Sequence, residues 1–402
     1  EEFMSNLDWV DGLLLRATYG HNGNVDKTTS FQPLLAPNPV PSILTGENML
    51  GPNGMNPISS YGNPTLRWER TRTFDLGVDY NLLGGKLHGK IDVYNRHSYD
   101  LIAKVTLTKV MGTSSISLNN GEISNKGFEF EIGSTLPISK KVVWDGTLMF
   151  SYNKNEILSL KQKPTNAYAL VYTSNSTPSS NWLEGYDMNT LWTYTYGGVE
   201  NKGTEESPNM QPVILAKDGS TQTINAWPTG EAIDVSYAMG TKVAPVNIAF
   251  NTSLKVYDFD ISMILTGKFG HNFLRESFNY PMVHSGTIPN AKLSEVLNAD
   301  PSEMITLPMN DNDTGVTMWD RFYPYMNYLV ANASFIRFQE LSVAYNLPKA
   351  YTDWLGIGGV KFYVQANNPF NIYFNEWNED PEFRRGTERL LSSYLFGVKC
   401  NF

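Results

Sequence analysis

Large apolar side chains recur at every second residue in segment after segment of this chain. Phe74, Leu76, Val78 and Tyr80 do so, as do Phe128, Phe130 and Ile132, and Val142, Trp144, Leu148, Phe150 and Tyr152. Val246, Ile248, Phe250, Leu254 and Val256 follow, then Phe259, Ile261, Met263 and Leu265, and last Tyr394, Phe396, Val398, Cys400 and Phe402. Period two is the signature of β-strands with unlike faces. The opposite parity carries Asp75, Asp79, Glu129, Glu131, Asp145, Asn247, Asn251, Lys255 and Asp260, a face suited to water.

The connections alternate in length. Short ones are Asn81–Gly85, Pro137–Lys141, Tyr257-Asp258 and Pro348–Gly359; long ones are Gly20–Thr65, Val105–Asn120, Lys161–Lys242, Asn272–Val330 and Asn375–Glu388. Short turns at one end and long loops at the other are the habit of outer-membrane barrels. Ten strands are expected. Five rise, at about 13–19, 86–104, 142–160, 259–270 and 360–372; five descend, at about 66–80, 121–136, 245–256, 333–346 and 389–402. Ile336 and Phe338 lie out of phase with Leu341, Val343 and Tyr345, so a bulge is expected near Gln339-Glu340. Trp192–Val199 reads as part of a hairpin inside an external loop, and Leu293, Val296 and Leu297 suggest a short loop helix.

Composition sharpens this picture. The 402 residues are 13% aromatic and only 18% charged, with a net charge of -9. An acidic balance argues against nucleic acid, whose phosphates need clustered Lys and Arg. One cysteine excludes an internal disulfide and a Cys-based zinc cluster; on the apolar parity, Cys400 reads as a small hydrophobe. No run of 18 apolar residues predicts a membrane helix. The first residues carry no basic, apolar leader, so a leader is expected to have been removed or to lie outside the sequence.

Several stretches then carry a resemblance. They are Leu14–Gly20 with Gly23-Asn24, Asn63–Glu69 leading into Phe74–Asp79, Asp92–Tyr94 with Asp100-Leu101, and Asn125–Glu129. Ala333–Phe338 through Ala344–Pro348 and Asp380-Pro-Glu382 complete the set. In this order and spacing the chain resembles the C-terminal barrel portion of the SusC/RagA-type TonB-dependent outer-membrane transporters. The resemblance implies an all-β, antiparallel transmembrane barrel of about 22 strands, of which residues 1–402 would supply roughly the C-terminal half. Long extracellular loops are expected at about 20–65, 161–242 and 272–330. The plug domain is absent from these residues, so plug, TonB contact and the remaining wall would come from elsewhere. Also implied are a bacterial outer-membrane location, a bilayer around the wall, a SusD-like surface lipoprotein and import of a large nutrient, oligosaccharide or oligopeptide. Phe402 would be the barrel-insertion signal. A passive or structural outer-membrane barrel, and a soluble all-β binding protein, share the strand pattern and stand as alternatives.

The candidate chemistry is binding rather than catalysis. His97 and Ser98 are adjacent in a strand and face opposite ways, so they cannot act as a nucleophile and its base. Asp311-Asn-Asp313-Thr-Gly315 spaces carboxylates as calcium loops do, but lacks the closing glutamate and reads as a solvated acidic turn. No catalytic residue, metal site or cofactor is expected. Two groups of loop aromatics remain: Trp182, Tyr186, Trp192 and Tyr194 with Tyr196, and Trp319, Tyr323 and Tyr325 with Phe322 and Tyr328. Flat rings beside Asn and Asp suit sugars or peptides; rings also fill loop interiors and rim girdles. Arg67, Arg70 and Arg72, like Arg384, Arg385 and Arg389, could meet lipid phosphates or a partner, or pair with Glu69, Glu382 and Glu388.

Overall fold

The computed structural model describes residues 7–24, 32–35, 58–106, 115–161, 167–171, 182–208, 210–223, 231–276, 322–354, 356–383 and 390–401. Ten long strands form one antiparallel sheet in chain order. They are β1 (Val10–Asn24), β2 (Glu69–Leu82), β3 (Leu87–Thr106), β4 (Ser115–Ser139) and β5 (Val142–Leu160). Then come β6 (Val246–Val256), β7 (Phe259–Phe269), β8 (Phe335–Asn346), β9 (Gly359–Asn367) and β10 (Ser393–Asn401). The sheet is open, with β1 and β10 at its edges.

Register turns the alternation of single strands into a continuous surface. Leu15 lies opposite Val78, Val78 opposite Ile91, Ile91 opposite Phe130, Phe130 opposite Phe150 and Phe150 opposite Ile248. At the far edge Ile261, Val343, Val364 and Phe396 form the same kind of row. The Phe130 and Phe150 rings stack with centroids 5.1 Å apart. Yet this face is uncovered: Leu15 is 70% exposed and Phe396 73%. An apolar surface of such extent is stable only in an apolar solvent.

The other face is polar and paired across strands. Arg16 on β1 reaches Asp79 on β2 at 2.8 Å and Asp92 on β3 at 2.8 Å. Gly77 makes this possible, because a Cβ there would lie 2.4 Å from the Asp92 carboxylate and 2.7 Å from the Arg16 guanidinium. Further along, Lys361 meets Asp260 at 2.9 Å, and the Thr135 hydroxyl donates to Asp145 at 2.6 Å.

The expected bulge is present. Glu340 pairs with Ile264 and Phe338 with Leu265, leaving Gln339 as the extra residue. Three boundaries differ from expectation. Strand pairing of β3 with β4 continues to Thr106 opposite Ser115, so the described residues of the expected Val105–Asn120 loop are strand. One side of that extension is apolar and buried, at Ala103 and Val105. The rising strand at 360–372 is broken: β9 stops at Asn367, Asn368 has φ of 49°, and Asn371–Tyr373 pairs instead with the start of β8. Pro369, lacking an N–H, cannot continue the ladder. The last strand likewise begins at Ser393 rather than 389. The expected helix near Leu293 lies outside the described residues.

Candidate functional site

Among the described residues, most of the fully buried apolar side chains belong to the loops rather than the wall, with Ile157 and Phe335 at strand ends as exceptions. Two long loops pool their side chains into a single core: Leu170, Trp192, Tyr194, Ile214 and Val235 from the first, Phe322, Tyr323 and Met326 from the second. Backbone bonds stitch the two together. The Tyr194 N–H donates to the Tyr325 carbonyl at 2.9 Å, and the Asn327 N–H donates to the Tyr194 carbonyl at 2.8 Å. Thr195–Asn201, Met210–Leu215 and Thr221–Thr223 form a small sheet beside this seam, while Thr190–Thr193 pairs with Tyr237–Thr241, so the expected Trp192–Val199 hairpin segment is divided between two small sheets.

This core holds most of the candidate aromatics. Trp192 and Tyr194 are each 1% exposed and Tyr323 is 6% exposed, so their rings support the module from within. Tyr186 and Tyr325 are half-buried at its edge, and the Tyr186 ring packs on Trp192 with centroids 4.8 Å apart. Trp182 belongs to a second cluster, packed on Ile123, Ile157 and Leu160 at the top of β4 and β5. Trp319 and the insertion-signal residue Phe402 lie outside the described residues, as do Asp311, Asp313, Arg384, Arg385 and Arg389. A recess of about 310 Å³ opens at the foot of the module, lined in part by Tyr152, Asn153, Tyr186, Asp187, Thr190 and Gly240. A second, of about 340 Å³, is lined in part by Glu129, Glu131, Ser151, Asn247 and Lys268 of the polar face.

Asparagines fasten the loops to the wall. The Asn155 carboxamide accepts from the Met188 N–H at 2.8 Å, while the Ile157 N–H donates to the Tyr186 carbonyl at 2.9 Å. Asn119 donates to the carbonyls of Arg67 and Asp100 and accepts from the Arg67 N–H, and Asn63 donates to the Ser117 carbonyl. The Asn63–Glu69 stretch is therefore a clasp over the top of β3 and β4. Its cations do find acids, but not the expected one: Arg67 and Arg70 both pair with Asp100. Glu69 instead accepts from the Asn24 side chain and the Ile102 N–H. Asp100, seven residues beyond the last apolar outward residue of β3, stands clear of the membrane band. The Arg67 hydrogen bond, aided by Arg70, holds its carboxyl down at about 2 against the cost of burial.

A second clasp holds the final loop. Arg337 of β8 is 4% exposed and pairs with Asp380 at 2.9 Å and Glu382 at 2.8 Å. The Tyr373 hydroxyl donates to Asp380 at 2.8 Å, and Lys268 meets Glu382 at 2.6 Å. Arg275 pairs with Glu379 at 2.8 Å and covers the Trp377 ring at 3.9 Å. Sequence reasoning noted Asp380-Pro-Glu382 but not its partner. The available signal was Arg337, a lone cation of polar-face parity between Ile336 and Phe338. His97 and Ser98 take separate partners: His97 lies 3.0 Å from Glu122, and Ser98 shares a hydrogen bond with Thr71 at 2.8 Å.

Apolar outside, polar inside, closed by short turns below and by packed, clasped loops above, this sheet is part of the wall of an outer-membrane β-barrel. Comparison with known proteins gives the family. Residues 5–226 match the family described as TonB dependent receptor-like, beta-barrel, and the chain belongs to it. It is a family of outer-membrane receptors, not of enzymes. Among relatives, the chain is 27% identical to the TonB-dependent receptor SusC of Bacteroides thetaiotaomicron over its whole length and 39% of that protein's. It is 24% identical to TonB-dependent receptor P3 of Formosa agariphila, covering 92% of the chain and 36% of the relative. The fold matches the RagAB peptide importer in its open-open state with a TM-score of 0.69, at 19% identity, over 98% of this chain and 40% of that one. The chain thus spans well under half the length of the relatives it matches.

Proposed function

We propose that these ten strands are the C-terminal part of the wall of a SusC/RagA-type transporter that imports a polar oligomer, glycan or peptide, with energy delivered through TonB. The observation that carries the reading is the shared loop core of Trp192, Tyr194, Phe322 and Met326, which builds a preformed mouth above a polar inner face. A structural barrel needs no such mouth. In this reading Tyr186, Tyr325 and Trp182 meet cargo, together with Trp319, while Trp192, Tyr194 and Tyr323 hold them from behind. The similarity to SusC and to a peptide importer supports a SusD-like lipoprotein lid over the mouth, with plug and TonB contact supplied by the rest of the barrel protein.

Cells carrying the complete transporter should accumulate labelled oligopeptide or oligosaccharide only when TonB is present. Accumulation that persists without TonB would leave the passive barrel as the better description. Running both cargo classes side by side identifies the substrate.

A further inference from the structure

We propose that the outward face of β2 to β5 holds the phosphorylated headgroup of an outer-leaflet lipid, with Lys126 and Lys154 as its principal cations. On β5 the apolar outward band runs from Trp144 to Tyr152. Those eight steps make about 27 Å of strand, or about 21 Å of height at a tilt of about 40°. The next outward residue is Lys154, and its direct cross-strand neighbour is Lys126, one step above Phe128. Along the neighbouring strands the first polar outward residues are Asn95 on β3 and Arg72 on β2. Three of four adjacent strands therefore leave the band with a cation, at the depth where lipid phosphates lie.

One juxtaposition there is unfavourable in the protein alone. Lys126 and Lys154 stand opposite each other, an arrangement that costs stability between like charges. Lys126 has no ion pair or hydrogen bond from its ammonium group among the described residues. The Arg72 guanidinium, one row above them, donates to His97 Nδ1 at 3.4 Å. The local acids sit farther from the membrane than the two lysines: Glu156 pairs with Lys154 at 3.1 Å and Glu122 with His97 at 3.0 Å. Counting Arg72, Lys126 and Lys154 against those two carboxylates leaves the face cationic, with the two lysines on its membrane side. A phosphate seated between the lysines relieves their repulsion, while its acyl chains lie along Phe128, Phe130 and Tyr152. Among the described residues of the opposite edge, the corresponding surface carries Phe370, Phe374, Leu390 and Leu391, all more than 40% exposed, and no such cations.

The test uses the complete transporter in phosphatidylcholine nanodiscs containing either phosphorylated lipid A or the same lipid stripped of its phosphates. Lipid retained per protein is counted by native mass spectrometry after release. The wild type should retain the phosphorylated form preferentially, and Lys126→Gln with Lys154→Gln should lower that preference at least about tenfold, since each surface lysine contributes about fivefold. Lys255→Gln, on the inner face, should leave it unchanged. Because the double variant removes a repulsion, it should unfold no earlier than wild type in neutral detergent, which separates loss of the lipid from loss of the fold. Equal retention of both lipids by the wild type, an unchanged preference in the double variant, or full displacement by inorganic phosphate would each overturn the proposal.

Discussion

A methyl group added at Gly127 would sit 2.3 Å from the Tyr152 carbonyl oxygen and 2.5 Å from the Tyr94 hydroxyl. The clash with a backbone atom cannot be relieved by a rotamer change. Tyr94 lies across this glycine to reach Asn153, donating its hydroxyl at 3.1 Å, so the small residue and the large one form a single joint spanning three strands. Tyr80 leans over Gly89 in the same manner and donates to the Glu131 carbonyl at 3.2 Å. Gly127→Ala should therefore destabilise the barrel by about 1–3 kcal/mol, the range typical of overpacking. Urea unfolding from detergent, followed by tryptophan fluorescence, measures it, and a midpoint equal to wild type would refute the joint. At this scale the sequence was only half legible. Glycines within strands were visible, but the aromatic partner of each depends on a register that one chain segment does not reveal.

The ten wall strands were legible because lipid imposes a rule on them. A side chain facing hydrocarbon must be apolar, and its neighbour facing the lumen is free to be polar, so every crossing prints the same period. Where that rule lapses, so did the reading: the tops of β3 and β4 pair on beyond the lipid-facing band, and the Asn368-Pro369 break interrupts a segment of good strand composition. The junction above β7 adds a titratable element. His271 is 8% exposed, its Nδ1 has no partner among the described residues, and burial followed by the Lys268 charge pushes its pKa down, against the opposite pull of Glu382. The folded junction thus favours neutral imidazole, whereas the unfolded chain binds a proton near about 6.5. Stability from this site is complete above that value and is lost as the pH falls below it toward the lower folded pKa. The Ala333 N–H, which donates to the His271 carbonyl at 2.9 Å, should exchange faster at pH 5 than at pH 7.5 after correction for intrinsic rates. His271→Gln should remove that difference; equal protection at both pH values in the wild type would rule the effect out.

Across the whole molecule, order is divided between two solvents. The wall is held by backbone ladders and by lipid, and buries few side chains; the loop module has an ordinary water-excluding core assembled from two loops that are distant in the sequence. This division explains why the aromatic clusters were visible in the sequence while their roles were not. Tyr194 and Tyr325 look alike in a list of loop residues, and only the pairing of one loop against the other sets Tyr194 inside and leaves Tyr325 at the edge. The same division predicts that the two parts fail separately. Phe322 is fully buried, with its ring 5.0 Å from that of Tyr194, and it joins the second loop to the first. Phe322→Ala should cost about 3–5 kcal/mol of loop association, enough to open a module that lacks the lipid support of the wall. In limited proteolysis of the folded protein, cleavage should rise within 161–245 and 270–334, while the strands keep their heat-resistant migration on gels. Loss of the barrel band in that variant would mean that the loops help to hold the wall; unchanged cleavage would mean that the seam at Tyr194, Tyr325 and Asn327 suffices without the ring.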